Sequence, residues 1–525
     1  MQVLLSCDGG GSLGVGHVIR SLALAEAAVK AGHDVLVAGH FEGSFVQGQL
    51  AAAPVEVAQI SPWLAGGDLA LLIELVGRSR PDVLHVDSYT APDRLRALVP
   101  SGGAGSMVLS NMEDGTFGRR PADLVVDPTF GAELVARPQD GATWLLRGSR
   151  YAPVRQRVID ARRRGSRNKG GAGGADDNAG GAGQVARSVL VVMGGTDPVG
   201  LAPGAVELLA RTGLALEVTT IAVGENAERV RTAAEGSRLS VNVLAPGDDL
   251  AAMMSAHDLV ISAAGTSIWE LCCIGVPTAV AWAVDNQREG YDRVVAAGAA
   301  IGLGGPGLGG DEGAVDLLKT ALTDSEVRAQ LVRAGRQVVD GLGAWRVVRM
   351  WEQALSVRSL PVIASAPLVV RRATVADSRQ LWTWRNDPAT RAGSKSHAEV
   401  PWDDHHRWFT ASLARTDRIL LVVQDPVGPV GTVRWDLKGE RQWEVSITVA
   451  PQRRGQNLAR PLLRAGEVAL SEATRSKGAE VRAYLAVVNV DNPSSMRLFE
   501  TSAYLPDLPP DPGGFMRFRK DARVT

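Results

Sequence analysis

The chain has 525 residues, 45% hydrophobic and 22% charged, with 56 Lys and Arg against 57 Asp and Glu for a formal net charge of −1. That length is too great for one core and calls for several domains, and the balanced charge gives no global positive field to gather nucleic acid or an anionic membrane. The three cysteines cannot build a disulfide framework, no Cys/His cluster has zinc spacing, and no apolar run is long enough to span a bilayer, so a cytoplasmic chain without metal or membrane partner is expected.

From the start, short apolar runs alternate with helical patterns: MQVLLS, HVIRSLALAEAAVKAG, HDVLVAG, PDVLHVDSY and GSMVLSNMED. This rhythm predicts parallel strands with crossover helices, a Rossmann-like domain over residues 1–161. Residues 162–188, RRRGSRNKGGAGGADDNAGGAGQVARS, carry too little apolar surface to offset their ordering entropy and read as a flexible linker. The alternation resumes over 189–354 with SVLVVMGG, EVTTIAVG, SVNVLAPG, DLVISAAG and VPTAVAWAV, a second Rossmann-like domain. Residues 367–522 change character, with Trp-rich helical segments and a hairpin-like ILLVVQDPVGPVGTVRWDL, and predict a separate α+β domain.

The stretch CDGGGSLGVGH, residues 7–17, lies between a strand and a helix, where free amides and the positive helix end favour a phosphate. The spacing of Gly14 and Gly16 is not that of a dinucleotide fingerprint, and the same glycines could serve a tight turn alone. His17 adds chemistry, because a helix N-terminus favours the neutral imidazole that can accept a proton. Asp8, at the strand end, is placed to orient it. A general base beside a phosphate cradle suits a hydrolase or a transferase.

These residues resemble the D-x(5)-G-x-G-H-x-x-R signature of the UDP-sugar hydrolases of pseudaminic acid biosynthesis, which cleave UDP-2,4-diacetamido-2,4,6-trideoxy-β-L-altropyranose. VLHVDSY, LRGSRYAPVR, VMGGTDPVG, SAAGTSIWELCCIGVPTAV and DNQREGYDRVVAAGAAIGLG resemble later blocks of that family, in order, over residues 1–350. Ser6 departs from it, standing where an Arg is usual. The resemblance implies a GT-B-like pair of Rossmann-like domains in which His17 activates water at the anomeric carbon. It places Gly14, Gly16, Arg20, Asp87, Tyr89 and Tyr151 around the sugar diphosphate and turns Gly195 and Thr196 toward the cleft. It further implies that Gly265, Thr266 and Ser267 hold the diphosphate, that Glu270 accepts from ribose hydroxyls, and that Asn286 and Gln287 contact nucleotide or sugar. A helix cap with an acidic first turn explains Thr266, Ser267 and Glu270 without a ligand. Cys272 and Cys273 read as packing residues.

In the last domain, EVSITVAPQRRGQNLARPLL reads as strand, basic turn and helix, a second phosphate site assisted by Arg453 and Arg454. It resembles the acetyl-CoA signature of GNAT acetyltransferases through Arg454, Gly455 and Ala459, with Asn457 in place of the middle glycine; Asn tolerates left-handed backbone. NVDNPSSMRLFETSAY matches a further GNAT pattern through Asn489, Asn492, Ser495 and Phe499. LWTWRNDPATRAGS and WDDHHRWF resemble the opening of GNAT enzymes that acetylate the 4-amino group of UDP-amino sugars. The resemblance implies acetyl-CoA as co-substrate, its pantetheine paired along Ile447 to Val449. Glu444, or a water near it, could take the amine proton, or Glu444 is an ordinary strand-end charge. His405 and His406 could line the acceptor cleft, and a solvated helix face explains them as readily. Tyr504 reads as core.

The expectation is therefore an α/β chain, two Rossmann-like domains in a GT-B-like arrangement plus a C-terminal α+β GNAT domain, acting on UDP-sugars and partnering neither nucleic acid nor membrane. A glycosyltransferase whose GNAT domain is a degenerate CoA-binding or structural module is the competing reading, since fold alone does not separate water from another nucleophile.

Overall fold

The computed structural model describes residues 1–522 apart from 11–13, 61–69, 94, 99–106, 139–141, 169–184, 195–196, 198, 248 and 358–367. Residues 1–355 and 356–525 form two compact units.

The apolar runs of the first segment become the parallel strands β1 (Gln2–Cys7), β2 (Asp34–Gly39), β3 (Glu56–Gln59), β4 (Val83–Asp87), β5 (Val108–Met112), β6 (Leu124–Asp127) and β7 (Trp144–Arg147). They are ordered β3-β2-β1-β4-β5-β6-β7. β4, β5 and β6 are buried at every residue, as strands covered by helices on both faces must be. A second parallel sheet holds β8 (Ser188–Val192), β9 (Leu216–Ile221), β10 (Leu239–Leu244), β11 (Leu259–Ala263), β12 (Thr278–Ala281) and β13 (Ile301–Gly302), ordered β10-β9-β8-β11-β12-β13. The two sheets repeat one winding, so each reverses direction once, between β1 and β4 and between β8 and β11. The crevice beyond the carboxyl ends of those strands is where such sheets bind ligands.

The two halves exchange helices. The helix Gln156–Asn168 leaves the first sheet's segment and buries Val158 and Ala161 against Met254, Cys272, Cys273 and Ile274 beneath the second sheet. It runs through the boundary expected at residue 162; residues 169–184 of the expected linker lie outside the described residues. In return, the helix Gly343–Val357 follows the second sheet and packs on the first. Its fully buried Trp351 donates from Nε1 to Ser110 Oγ of β5 at 3.0 Å, and Glu352 meets His33 at 2.8 Å. Cys272 and Cys273 are packing residues, their thiols pushed up to about 12 and about 11 by burial.

The second unit is a mixed sheet of β14 (Val369–Arg372), β15 (Arg418–Asp425), β16 (Gly428–Leu437), β17 (Gln442–Val449), β18 (Ala483–Asn489), β19 (Leu505–Leu508) and β20 (Phe515–Asp521). Its order is β14-β15-β16-β17-β18-β20-β19, antiparallel except for the β17–β18 pair. The expected hairpin is β15–β16, whose turn closes when Asp425 Oδ1 accepts from the Val427 and Gly428 amides. The helix Ala459–Arg475 packs closely on this sheet because Gly466 lacks a side chain: a Cβ there would stand 2.8 Å from Val433. The fold class is the expected one. No described helix is long and apolar enough to cross a membrane.

Truncating Trp351 to Ala removes a large buried ring and the bond that ties the last helix to β5. It is expected to lower unfolding free energy in urea by roughly 3–5 kcal/mol, whereas Trp351→Phe costs about 1 kcal/mol, the worth of one hydrogen bond.

Candidate functional site

At the switch point of the first sheet, Cys7 and Asp87 are register partners, so the loop after β1 and the end of β4 converge. The helix Gly16–Lys30 starts there and presents His17 in its first turn and Arg20 one turn on. His17 Nδ1 lies 2.6 Å from Asp87 Oδ1. Arg20 donates from Nε and Nη2 to the two oxygens of Asp87 at 2.5 and 2.6 Å, and from Nη1 to both oxygens of Asp114 at 2.8 and 2.7 Å. Asp87 is fully buried, and burial pushes its carboxyl up, but Arg20 and His17 overcome this and hold it well below the usual carboxylate range. Arg20 Nη2 also lies 3.1 Å from Nδ1. An ionised carboxylate only accepts, so the neutral tautomer that suits Asp87 is the one with its proton on Nδ1 and its lone pair on Nε2. This is the orientation a general base needs.

Asp8 Oδ1 accepts the His40 amide at 2.8 Å on the β2 side, while the neighbouring strand on the other side supplies Asp87 to His17. Asp114, which the sequence reading missed, stands two residues past the buried β5, after Glu113, and beside the left-handed Gly115. An acidic residue just past a buried strand was the available signal. Tyr89 donates its hydroxyl to Asp114, sets its ring edge-on to His17 at a centroid distance of 4.5 Å, and receives Asn286 Nδ2 at 3.5 Å.

His17, Arg20, Tyr89 and Asp114 line a cleft of about 420 Å³ shared with the second sheet. Gly14 takes left-handed backbone there, φ +72°, which suits glycine. Gly16 faces Thr266 of the other half, where a Cβ would be in ordinary contact with Thr266 Cγ2 at 3.4 Å. Gly265, Thr266 and Ser267 line the cleft at the start of the helix Ser267–Ile274, and the Thr266 side chain makes no capping bond. Glu270 and Arg157 line it as well. Burial pushes the Glu270 carboxyl up to about 7, against the pull of Arg157 and Arg155. Asn286 and Gln287 also line the cleft, Gln287 Oε1 accepting the Ala283 amide at 2.9 Å. Gly194 is there too, whereas Gly195 and Thr196 lie outside the described residues.

Tyr151 is not at the cleft. It is buried in the turn Ser149–Tyr151, packed so tightly under Gly343 that a Cβ at that glycine would stand 2.6 Å from the Tyr151 carbonyl carbon. Arg155 is likewise structural, held by Glu26 and Gln49. Ser6 is buried inside β1, between Ala38 and Val86 of the adjacent strands.

In the second unit, β17 and β18 pair only from Gln442↔Ala483 to Val445↔Ala486. Each strand stays bonded to its other neighbour, β17 as far as Val449 and β18 as far as Asn489. The backbone at Ile447 and Val449 is thus released from β18, leaving a splay that fits an extended amide chain. Beyond it, Gly455 and Asn457 take φ +75° and +57°, and the helix begins at Ala459. Arg454 reaches Asp387 at 2.7 Å and Thr390 at 2.6 Å, while both oxygens of Asp425 hold Arg453. Asn489, Asn492 and Ser495 close a strand-to-helix turn. Asn489 Oδ1 accepts the Asp491 amide at 2.9 Å, and Asn492 Oδ1 caps the helix Pro493–Thr501 through the Ser495 amide at 3.1 Å. Tyr504 is core, donating to the Glu467 carboxylate.

Another cavity of about 420 Å³ lies between β15–β17 and the helices Ser378–Asn386 and Trp402–Leu413. Trp384, His405, Trp408, Arg418 and Arg434 are among its walls. Both arginines lie over Trp408 and share the carboxylate of Asp436. Glu444 is not among the lining residues; its carboxylate lies 3.9 Å from Lys438.

Residues 368–503 match the family model described as an acetyltransferase (GNAT) domain. The chain is 24% identical over 354 residues to the spore coat polysaccharide biosynthesis protein SpsG of Bacillus subtilis strain 168, covering 66% of this chain and 96% of the relative. Among solved structures, Acinetobacter baumannii MurG is similar with a TM-score of 0.46 and 16% identity, over 67% of this chain and 99% of that one. A Vibrio cholerae spermidine N-acetyltransferase in complex with CoA and spermine is similar with a TM-score of 0.26 and 19% identity, over 29% of this chain and 95% of that one.

Glu270 gives a test of the cleft's electrostatics. Its ordinary value is 4.5 and its buried value about 7, so between these the folded chain keeps a proton that the unfolded chain has lost. Stability then falls as pH rises through that window. Glu270→Gln is expected to raise the unfolding free energy in urea at about pH 8, by about 3 kcal/mol at most, and to leave it unchanged near pH 4.

Proposed function

We propose that residues 1–355 hydrolyse a UDP-sugar and that residues 356–525 transfer acetyl from acetyl-CoA to the 4-amino group of a UDP-amino sugar, in pseudaminic or related nonulosonic acid biosynthesis. The observation that carries the hydrolase reading is the buried His17–Asp87–Arg20 arrangement at the switch point. His17 Nε2 takes a proton from water as the water's oxygen attacks C1 of a 2,4-diacetamido-2,4,6-trideoxy sugar. The C1–O bond breaks on the far side, UDP leaves, and the anomeric centre inverts. Ionised Asp87 stabilises the imidazolium, and Arg20 keeps Asp87 ionised. The positive end of the helix Ser267–Ile274, with the Thr266 and Ser267 hydroxyls, takes up the charge that develops on the diphosphate.

The similarity to SpsG, named for polysaccharide biosynthesis, supports a nucleotide-sugar substrate, and the GNAT model supports acetyl-CoA. The β17–β18 splay suits the pantetheine, and the turn at Gly455 and Asn457 before the helix Ala459–Arg475 suits the pyrophosphate.

Incubating the chain with the UDP-sugar and no acceptor is expected to release UDP and free sugar; release only on addition of an alcohol acceptor identifies a glycosyltransferase instead. His17→Ala is expected to abolish UDP release and leave acetyl transfer unchanged. Asp87→Asn, which permits the wrong imidazole tautomer, is expected to slow UDP release by roughly 10²–10⁴-fold.

A further inference from the structure

Acetyl transfer to an amine needs a group that removes the amine proton, and Glu444 is turned to Lys438 outside the cavity lining. His405 is better placed. It lies on the helix Trp402–Leu413, lines the cavity between that helix and β15–β17, and is 4% exposed. Its Nε2 is buried without a hydrogen-bond partner. The Ser378 backbone favours the charged ring and opposes the effect of burial, and Nε2 is the ring nitrogen left buried without a partner. Phe409 stacks on the ring at 5.7 Å and Trp408 meets it at 5.7 Å, fixing its plane. Its neighbour His406 differs, bonded to Ser378 Oγ at 3.1 Å and stacked on Trp402 at 5.1 Å.

We infer that His405 Nε2 accepts the proton of the acceptor amine during acetyl transfer. This rests on the acetyltransferase reading above. The amine lone pair forms the C–N bond to the acetyl carbon, the C–S bond breaks, and CoA leaves as thiolate. The proton released from nitrogen passes to Nε2, and the imidazolium returns it through solvent to the thiolate. Burial, together with His406 and Arg385, lowers the basicity of His405, so the ring is neutral at neutral pH and ready to accept. The other charged groups around the cavity are Asp404 on the same helix and Arg418 and Arg434 on β15 and β16.

The test uses the full chain with acetyl-CoA and a UDP-4-amino sugar, following thiol release. His405→Gln is expected to lower kcat by roughly 10²-fold or more while KM for acetyl-CoA stays within about twofold. The wild-type rate falls on the acid side through the titration of His405, below the ordinary histidine range. That limb disappears in His405→Gln and persists in Glu444→Gln. Added imidazoles restore His405→Ala in proportion to their basicity, which a packing role would not produce. Transfer by His405→Gln within about threefold of wild type, or an unchanged acid limb, overturns the assignment. Loss of acetyl-CoA binding in both His405 variants, with no rescue, makes the residue structural and also overturns it. Absence of transfer by the wild-type chain overturns the acetyltransferase reading and this assignment together; transfer that His405→Gln leaves undiminished overturns the assignment alone.

Discussion

One guanidinium, that of Arg20, bonds two carboxylates in the interior of the first half, and the chemistry of the cleft depends on it. Arg20 is 3% exposed and Asp87 is fully buried, so neither charge has water to fall back on. Removing one partner of such a pair leaves an uncompensated charge and costs roughly 3–5 kcal/mol. Arg20 keeps Asp87 ionised, and that carboxylate favours the His17 tautomer with its proton on Nδ1. Through Asp114 the same cation also fixes Tyr89, whose ring borders His17 and whose hydroxyl meets Asn286 from the other half. His17, Asp87, Asp114, Tyr89 and the contact across the cleft are thus one connected set.

The sheets explain why these residues meet. Both wind in the same order, and each places its chemistry in the loops flanking its own reversal: His17 and Asp87 in one, Gly194 and Thr266 in the other. The exchange of the helices Gln156–Asn168 and Gly343–Val357 ties the halves together, and Gly16 stands near Thr266 across the cleft. In the second unit the same logic recurs on a different fold. Strands β17 and β18 part beyond Val445 and Ala486, and β17 also borders the cavity lined by His405 through Ser446 and Thr448.

Much of this was legible beforehand because it is local. Continuous apolar runs gave buried parallel strands, the Gly-rich stretch ending at His17 gave a strand-to-helix turn, and the Asn457 substitution was compatible with the left-handed backbone it adopts. What was not legible depends on which strand lies beside which. Asp8 is nearest to His17 along the chain, yet the partner is Asp87, because β4 rather than β2 flanks β1 on the side of His17. Asp114 is remote in sequence from Arg20 and carries no motif. Tyr151 lies buried in the turn Ser149–Tyr151 and Asn492 caps the helix Pro493–Thr501, placements that depend on tertiary packing and turn geometry rather than on the motifs that contain them. The helix exchange has no sequence signature, since amphipathic helices do not announce which sheet they cover.

The central claim is that water, activated by His17, attacks the anomeric carbon and that the sugar C1–O bond breaks. Turnover in ¹⁸O-labelled water reads this directly. The account predicts that the released UDP carries no label and that the oxygen from water is found on C1 of the sugar at early times; label in the β-phosphate of UDP would mean cleavage at phosphorus and would contradict it.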